Sequence, residues 1–226
     1  MILIKLLFFI VVTVSTNLIF IVSSSIYAQQ QTNPNIEKII LQNEVMISKP
    51  NVHVIVEGTE IVDKIKGGDG NDIISGENGD DILIGGLGDD KIFGNNGNDK
   101  INGKLGDDEI DGGDNNDNIK GEGGDDDIYG RKGDDKLDGE KGNDKIDGGD
   151  GNDKIKGGDG NDELTGGRGN DEIEGGKDKD KLKGGEGADT FICDVDDKIS
   201  DFDSAEGDKK RGPCSVIDKS SSAESS

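Results

Sequence analysis

From Gly67 to Ile192 the chain repeats with a period of nine residues, fourteen times, without an insertion. Position 1 is Gly in all fourteen units and position 6 is Asp in all fourteen. Position 8 is aliphatic or aromatic in all fourteen, from Ile74 and Leu83 to Phe191. Position 4 is Gly except at Asn115 and Asp178, and position 5 is Asn or Asp except at Lys179 and Ala188. A chain in such strict phase is confined to architectures that repeat with it. Each unit buries its apolar residue only by stacking on its neighbours.

The unit reads G-G-x-G-N/D-D-x-U-x, with U apolar. Side chains alternate across a strand, so a short strand at positions 7–9 turns U to one side and two mostly polar neighbours to the other. Positions 1–6 must then turn the chain. Their glycines allow positive φ and close backbone approach, and Asn or Asp at position 5 tolerates the left-handed region. One strand and one turn per nine residues make a coil of eighteen, with units two apart stacked at about 4.8 Å. The expected fold is all-β: a parallel β-roll, or β-helix, solenoid of seven coils, about 34 Å long at that spacing.

Composition adds a requirement. Apolar residues are 29% of the 226, Trp is absent, and the net charge is −24. That balance is typical of chains that stay disordered, and it excludes nucleic acid as a partner, because phosphates are repelled. One buried aliphatic side chain per nine residues is little to set against the entropy of ordering them. Stacking also brings position-6 carboxylates together. At an effective dielectric near 20, two like charges about 5 Å apart repel by about 3 kcal/mol. A divalent cation between the turns reverses that sign. Carboxylate and carbonyl oxygens in a flexible, glycine-rich turn favour Ca²⁺ over Mg²⁺, which keeps its waters. Repeats without Cys or His do not suit Zn²⁺.

Units such as GGDGNDKIK (Gly148–Lys156) and GGRGNDEIE (Gly166–Glu174) resemble the hemolysin-type calcium-binding repeats, also called RTX repeats. The resemblance covers 126 of the 226 residues. It implies a parallel β-roll with calcium held between turns two units apart, the position-6 Asp supplying a carboxylate and the glycine turns supplying carbonyls. One column would be Asp72, Asp90, Asp108, Asp126, Asp144, Asp162 and Asp180; the other Asp81, Asp99, Asp117, Asp135, Asp153, Asp171 and Asp189. Carbonyl donors would come from Gly67, Gly70, Gly85, Gly88, Gly148, Gly151, Gly157, Gly160, Gly166 and Gly169. Fourteen units form twelve pairs two apart, which leads to an expectation of roughly ten bound calcium ions. Sites near GGKDKDKLK (Gly175–Lys183), with its four lysines and the departures Asp178 and Lys179, are the weakest of these.

The flanks divide as follows. Residues 1–28 read as a signal peptide: Lys5, an apolar run to Val22, then SSSIYA with cleavage after Ala28. Left uncleaved, the run is long enough to anchor in a bilayer, the one way in which a membrane becomes a partner. Residues 29–50 read as a flexible spacer with a short helix around Ile36–Leu41. Residues 51–66 read as a cap strand and a degenerate repeat whose tail is Asp63–Lys66. Residues 193–226 read as a C-terminal cap, with Ile199 and Phe202 covering the end, and a polar tail. The first coils also carry apolar residues on the outer face: Ile73, Ile82, Ile84 and Phe93. RTX proteins commonly leave the cell by a C-terminal signal, whereas the address here is N-terminal. His53, the only histidine, reads as a strand residue without chemistry. Cys193 and Cys214 are either free thiols or a disulfide bracing the cap.

Asp194–Ile199 begins like an EF-hand loop but has Lys198 and Ile199 where an acid and a glycine belong. Collagen would need Gly at every third position, and there are three prolines. G-x-S-x-G and H-E-x-x-H are absent, and about 38 residues between Ala28 and the repeats are too few for a catalytic domain. The expectation is an exported, non-enzymatic calcium-binding protein, secreted or at the cell surface, that folds on binding the ion. The alternative is a calcium-dependent adhesin or matrix component meeting a cell-envelope or surface partner.

Overall fold

A computed structural model describes residues 53–217 throughout, together with the backbone of five strands among the first 52 residues: Ile10–Val14, Asn17–Ile21, Ile26–Gln29, Ile36–Leu41 and Glu44–Met46. The expected signal segment and spacer, and the tail from 218 onward, lie largely outside the described residues. Every regular element described is a strand, and no helix among the described residues is long and apolar enough to cross a membrane.

From Ile36–Leu41 onward the strands form a parallel solenoid of about nine turns, while Ile10–Val14 with Asn17–Ile21, and Ile26–Gln29 with Ile36–Leu41, pair antiparallel. Successive units alternate between two sheets, one of twelve strands and one of ten. In the first, Lys91–Asn96 lies between Ile73–Asn78 and Glu109–Asp114, with Ile92 in register with Ile74 and Ile110. In the second, Lys100–Leu105 lies between Ile82–Leu87 and Asn118–Gly123, with Ile101 in register with Leu83 and Ile119. Partners are eighteen residues apart, as the period requires. The U residues form two facing ladders, each member 0–2% exposed, that make one continuous core. Ile73 and Ile82, at 40% and 36% exposed, stand on the outer face.

The strands are longer than positions 7–9. Each but the last, Thr190–Ile192, runs six residues, through positions 1–3 of the next unit, as in Lys136–Lys141. Position 2 lies inside that strand and has positive φ in every unit, in six of them on a side chain: Glu77, Asn95, Lys104, Glu122, Arg131 and Glu140. Four of these side chains, Asn95, Glu122, Arg131 and Glu140, reach back to position 9 of the preceding same-sheet strand. Arg131 Nε donates to Asp111 Oδ2 at 2.8 Å, and Asn102 Nδ2 donates to Glu122 Oε1 at 2.6 Å. Such half-exposed contacts offset part of the cost of the left-handed backbone. Position 4 also has positive φ throughout, with Asn115 at 82° and Asp178 at 76° where glycine is missing.

Two expectations need correction. Ile36–Leu41 is a strand, paired in parallel with His53–Thr59. Its pattern IEKIIL suits either period, and the neighbouring edge decides it. Position 5, in turn, does not need the left-handed region, since none of its residues has positive φ. It forms a side-chain ladder instead. Asn152 N–H donates to Asp134 Oδ1 at 2.8 Å, and Asn170 N–H donates to Asn152 Oδ1 at 3.0 Å. His53 tops the other such ladder, its Nδ1 accepting from Asn71 N–H at 3.0 Å.

The repeat begins earlier than Gly67. Gly58–Lys66 makes a full unit, half a coil, with Asp63 buried at position 6 and Ile65 in the core. At the other end Lys198–Ile199, Lys209–Arg211 and Ser215–Val216 continue the two sheets. Phe191 and Phe202 meet with ring centroids 6.2 Å apart, and Cys193 and Cys214 form a disulfide.

Candidate metal centre

The position-6 aspartates line up in two columns along the turns, each 1–3% exposed. Within a column the rule is uniform: the main-chain N–H of each Asp donates to Oδ1 of the Asp one coil on. Asp117 to Asp135 is 2.7 Å and Asp135 to Asp153 is 2.8 Å. From Asp81 to Asp189 the second oxygen, Oδ2, is buried and has no hydrogen-bond partner among the described residues. An ionised carboxylate left in that state is costly.

Oδ2 points at the position-1 glycine of its own unit. A Cβ on Gly130 would lie 2.5 Å from Asp135 Oδ2 and 2.5 Å from the carbonyl oxygen of Gly148. The same pair recurs around the roll: Asp90 Oδ2 and the Gly103 carbonyl crowd that point at Gly85, and Asp162 Oδ2 and the Gly175 carbonyl crowd it at Gly157. Position 1 is glycine, then, because a methyl group would collide with the carboxylate and the carbonyl that converge there. It is not positive φ that demands it.

Of the glycines singled out from sequence, Gly67, Gly85, Gly148, Gly157 and Gly166 sit where these oxygens converge. Gly70, Gly88, Gly151, Gly160 and Gly169 lie on a separate line. The carbonyl of each of the first three packs against the Cα of the position-4 glycine one coil on, as Gly70 does against Gly88.

Burial pushes the column carboxyls upward against the pull of the donated N–H, and neighbouring acids, of the column at Asp117 and Asp126 and of position 5 at Asp108 and Asp135, add to the rise. Asp117 and Asp126 reach about 8. Asp81, Asp90, Asp153 and Asp162 reach about 7. Asp108, Asp135, Asp144, Asp171, Asp180 and Asp189 reach about 6. Two exposed position-5 acids show the opposite sign. Asp80 and Asp134 also accept a main-chain N–H, from Asn98 and Asn152, and their pKa values fall. Donor geometry is alike in the two ladders, and desolvation separates them.

Among the described residues no three His, Cys, Asp or Glu side chains gather in one cluster. A cation here would therefore draw on one carboxylate oxygen and on main-chain carbonyls. That donor set is all oxygen and hard, and the orphaned, buried Oδ2 close to a main-chain carbonyl fits Ca²⁺.

The columns extend beyond the aspartates read from sequence. Asp63 precedes Asp81, donating to its Oδ1 at 2.6 Å. Asp197 accepts from Asp180 N–H at 3.1 Å, and Asp208 accepts from Asp189 N–H at 2.9 Å. At these ends Oδ2 is satisfied within the protein. Thr59 N–H and Oγ1–H donate to Asp63, Asp194 N–H donates to Asp197, and Asp203 N–H donates to Asp208. Counting back nine from Asp72 would have found Asp63. Spacings of 17 and 19 hide the other two.

No curated protein matches the chain. The family model for the RTX calcium-binding nonapeptide repeat matches it in four copies, over residues 57–92, 93–128, 120–155 and 156–191, which together span more than half of its length. The chain belongs to the RTX calcium-binding nonapeptide repeat family.

Proposed function

We propose that the protein is an exported, non-enzymatic calcium-binding protein whose roll closes only when cations enter the two aspartate columns. The observation that carries this reading is the unpaired, buried Oδ2 repeated against the position-1 glycine in every unit from Asp81 to Asp189. The residues that would hold the ion are the position-6 aspartates through Oδ2 and the position-1 glycines through their carbonyls. Bound calcium would supply the positive charge that lets stacked carboxylates stay ionised. The chain's own part is to aim those oxygens, using the donated N–H to fix each carboxylate and the left-handed position-2 and position-4 residues to bend the turn.

Circular dichroism of residues 29–226 during calcium titration tests the reading. Coil in chelator and cooperative β-structure in millimolar-range calcium are expected. Full β-structure in chelator at neutral pH would sink it.

Export rests on the N-terminal segment, and the mass of the mature chain decides it: loss of residues 1–28 supports secretion, and an intact N-terminus supports a surface anchor. A second reading, an adhesin or matrix component, draws on apolar side chains left outside. Leu87 and Leu105 are register partners on one sheet, 47% and 57% exposed. Capture of cell envelopes that depends on calcium would favour it.

A further inference from the structure

The chain carries a net charge of −24, yet its two sheets present outer faces of opposite sign. The core takes positions 8 and 1 of each strand, and every charged side chain stands outside it. On the six successive strands of one sheet from Lys64–Asp69 to Lys154–Asp159, nine lysines stand with five acids. On the six of the other sheet from Ile73–Asn78 to Glu163–Arg168, five bases stand with eight acids. The acid excess therefore sits in the columns, the turns and one sheet, and it leaves the other sheet basic.

The basic face is also apolar at one level. Ile82–Leu87 has no charged residue: Ile82 and Leu87 are exposed, Ile84 is half-buried, and exposed Leu105 is the register partner of Leu87. Lys66 and Lys100, the partners of Ile84 and Ile82, flank this strand and form no ion pair among the described residues. On the acidic face, exposed Ile73 and half-buried Phe93 stand on the strands that precede and follow Ile82–Leu87 in the chain. Contiguous exposed apolar side chains of this kind mark a contact surface.

We propose that calcium-loaded rolls associate side by side, the basic face of one copy lying on the acidic face of the next. The proposal rests on the reading that the columns take cations. Without cations, copies of net charge −24 repel one another. Roughly ten calcium ions bring about twenty positive charges and leave the faces to decide. Each copy carries both halves of the pair, on opposite sides of one core. An anionic lipid surface meets only the basic half and leaves Ile73 and Phe93 in water. With two rolls running in the same direction, Ile82–Leu87 of one meets the strands of Ile73 and Phe93 of the other. Lys100–Leu105, with two lysines, then meets Glu109–Asp114, with three acids. Equal strand spacing keeps that match along the roll. Six strands of six residues outline roughly 29 Å by 20 Å. The two faces together then bury about 1,100 Å², above the ~1,000 Å² of a specific interface. The contact is heterologous, so it repeats from copy to copy and builds an open row.

Sedimentation velocity and circular dichroism of the full-length chain test it. The wild-type mass is expected to rise with concentration in calcium and not in chelator. Ile82→Glu spoils the basic face and Phe93→Glu the acidic one. Each variant alone is expected to fold with calcium and to lose the rise. Mixed in equal amounts, they keep one intact face each and are expected to form a dimer that grows no further. Lys66→Glu combined with Lys100→Glu, which alters no apolar side chain, is expected to lose the rise as Ile82→Glu does. A wild-type chain that folds with calcium but stays monomeric overturns the interface alone. So do variants that associate as the wild type does, folded variants that form no dimer when mixed, and an equal rise in chelator. Monomers captured by phosphatidylserine vesicles through Lys66 and Lys100 overturn it in favour of a lipid surface. A wild-type chain that takes up no calcium overturns the reading of the columns and this association with it.

Discussion

The main-chain N–H of Asp117 donates to Oδ1 of Asp135 at 2.7 Å, while Oδ2 of Asp135 lies buried with no partner beside Gly130. Half of each carboxylate serves the backbone of the coil before it, and the other half is left for something the protein does not supply. The roll's dependence on pH, on its position-1 glycines and on its end coils follows from that division.

The first prediction concerns pH. Twelve of the column aspartates have folded pKa values raised to between about 6 and about 8 by burial. In the metal-free roll their contribution to stability is full below the ordinary carboxylate value and is lost as pH rises through 6 to 8. In chelator, β-structure is expected to increase as pH falls below 6 and to vanish by about 8, followed by circular dichroism. Calcium uptake near pH 6.5 should release protons, which titration in buffers of different ionisation enthalpy measures.

Gly130→Ala separates side-chain collision from backbone strain, since Gly130 does not have positive φ. Its Cβ would meet Asp135 Oδ2 and the Gly148 carbonyl, each at 2.5 Å. Overpacking of this kind costs about 2 kcal/mol, and the calcium midpoint of folding should rise. The conventional expectation for a glycine turn, that only positive-φ positions resist alanine, predicts no change.

Thr59 occupies with its hydroxyl the place beside Asp63 that stays unpartnered at the coils from Asp81 to Asp189. Thr59→Val keeps the shape and removes the donor. It should destabilise the first coil by about 1 kcal/mol, seen as faster hydrogen exchange at residues 58–66 with the remaining coils unaffected.

The Cys193–Cys214 disulfide ties the end of the last repeat to the strand Ser215–Val216 across a separation of 21 residues. Its reduction should cost the C-terminal cap about 3 kcal/mol. Calcium-induced folding in the presence of reductant is expected at a higher midpoint, and Cys193→Ser should reproduce that shift without reductant.

Much of this molecule could be read from its sequence, because a period of nine leaves each residue type in one environment throughout. Ile119 and Asp126 sit in the core ladder and the column where the phase puts them. What escaped lies where phase is lost or a role is shared. Gly58–Lys66 keeps only Gly58, Asp63 and Ile65 of the pattern, since Ile61 and Val62 replace Gly and Asn in its turn. Asp197 and Asp208 are off by one residue in opposite directions. Position 2 hid its left-handed backbone because Glu122 and Arg131 compensate for it through partners twenty residues away.

The sequence by itself determined the parallel stacking, the two aliphatic ladders and the aspartate columns. Strict repetition makes each coil's environment the next coil's, so local chemistry settles the whole. Only the tertiary structure decided which carboxylate oxygens are satisfied. At Asp63 a threonine completes the shell, at Asp135 nothing does, and at Asp180 a second carboxylate arrives from beyond the repeats. Partnering of a buried oxygen depends on a neighbour one coil away, and the ends of a solenoid have neighbours that no period specifies.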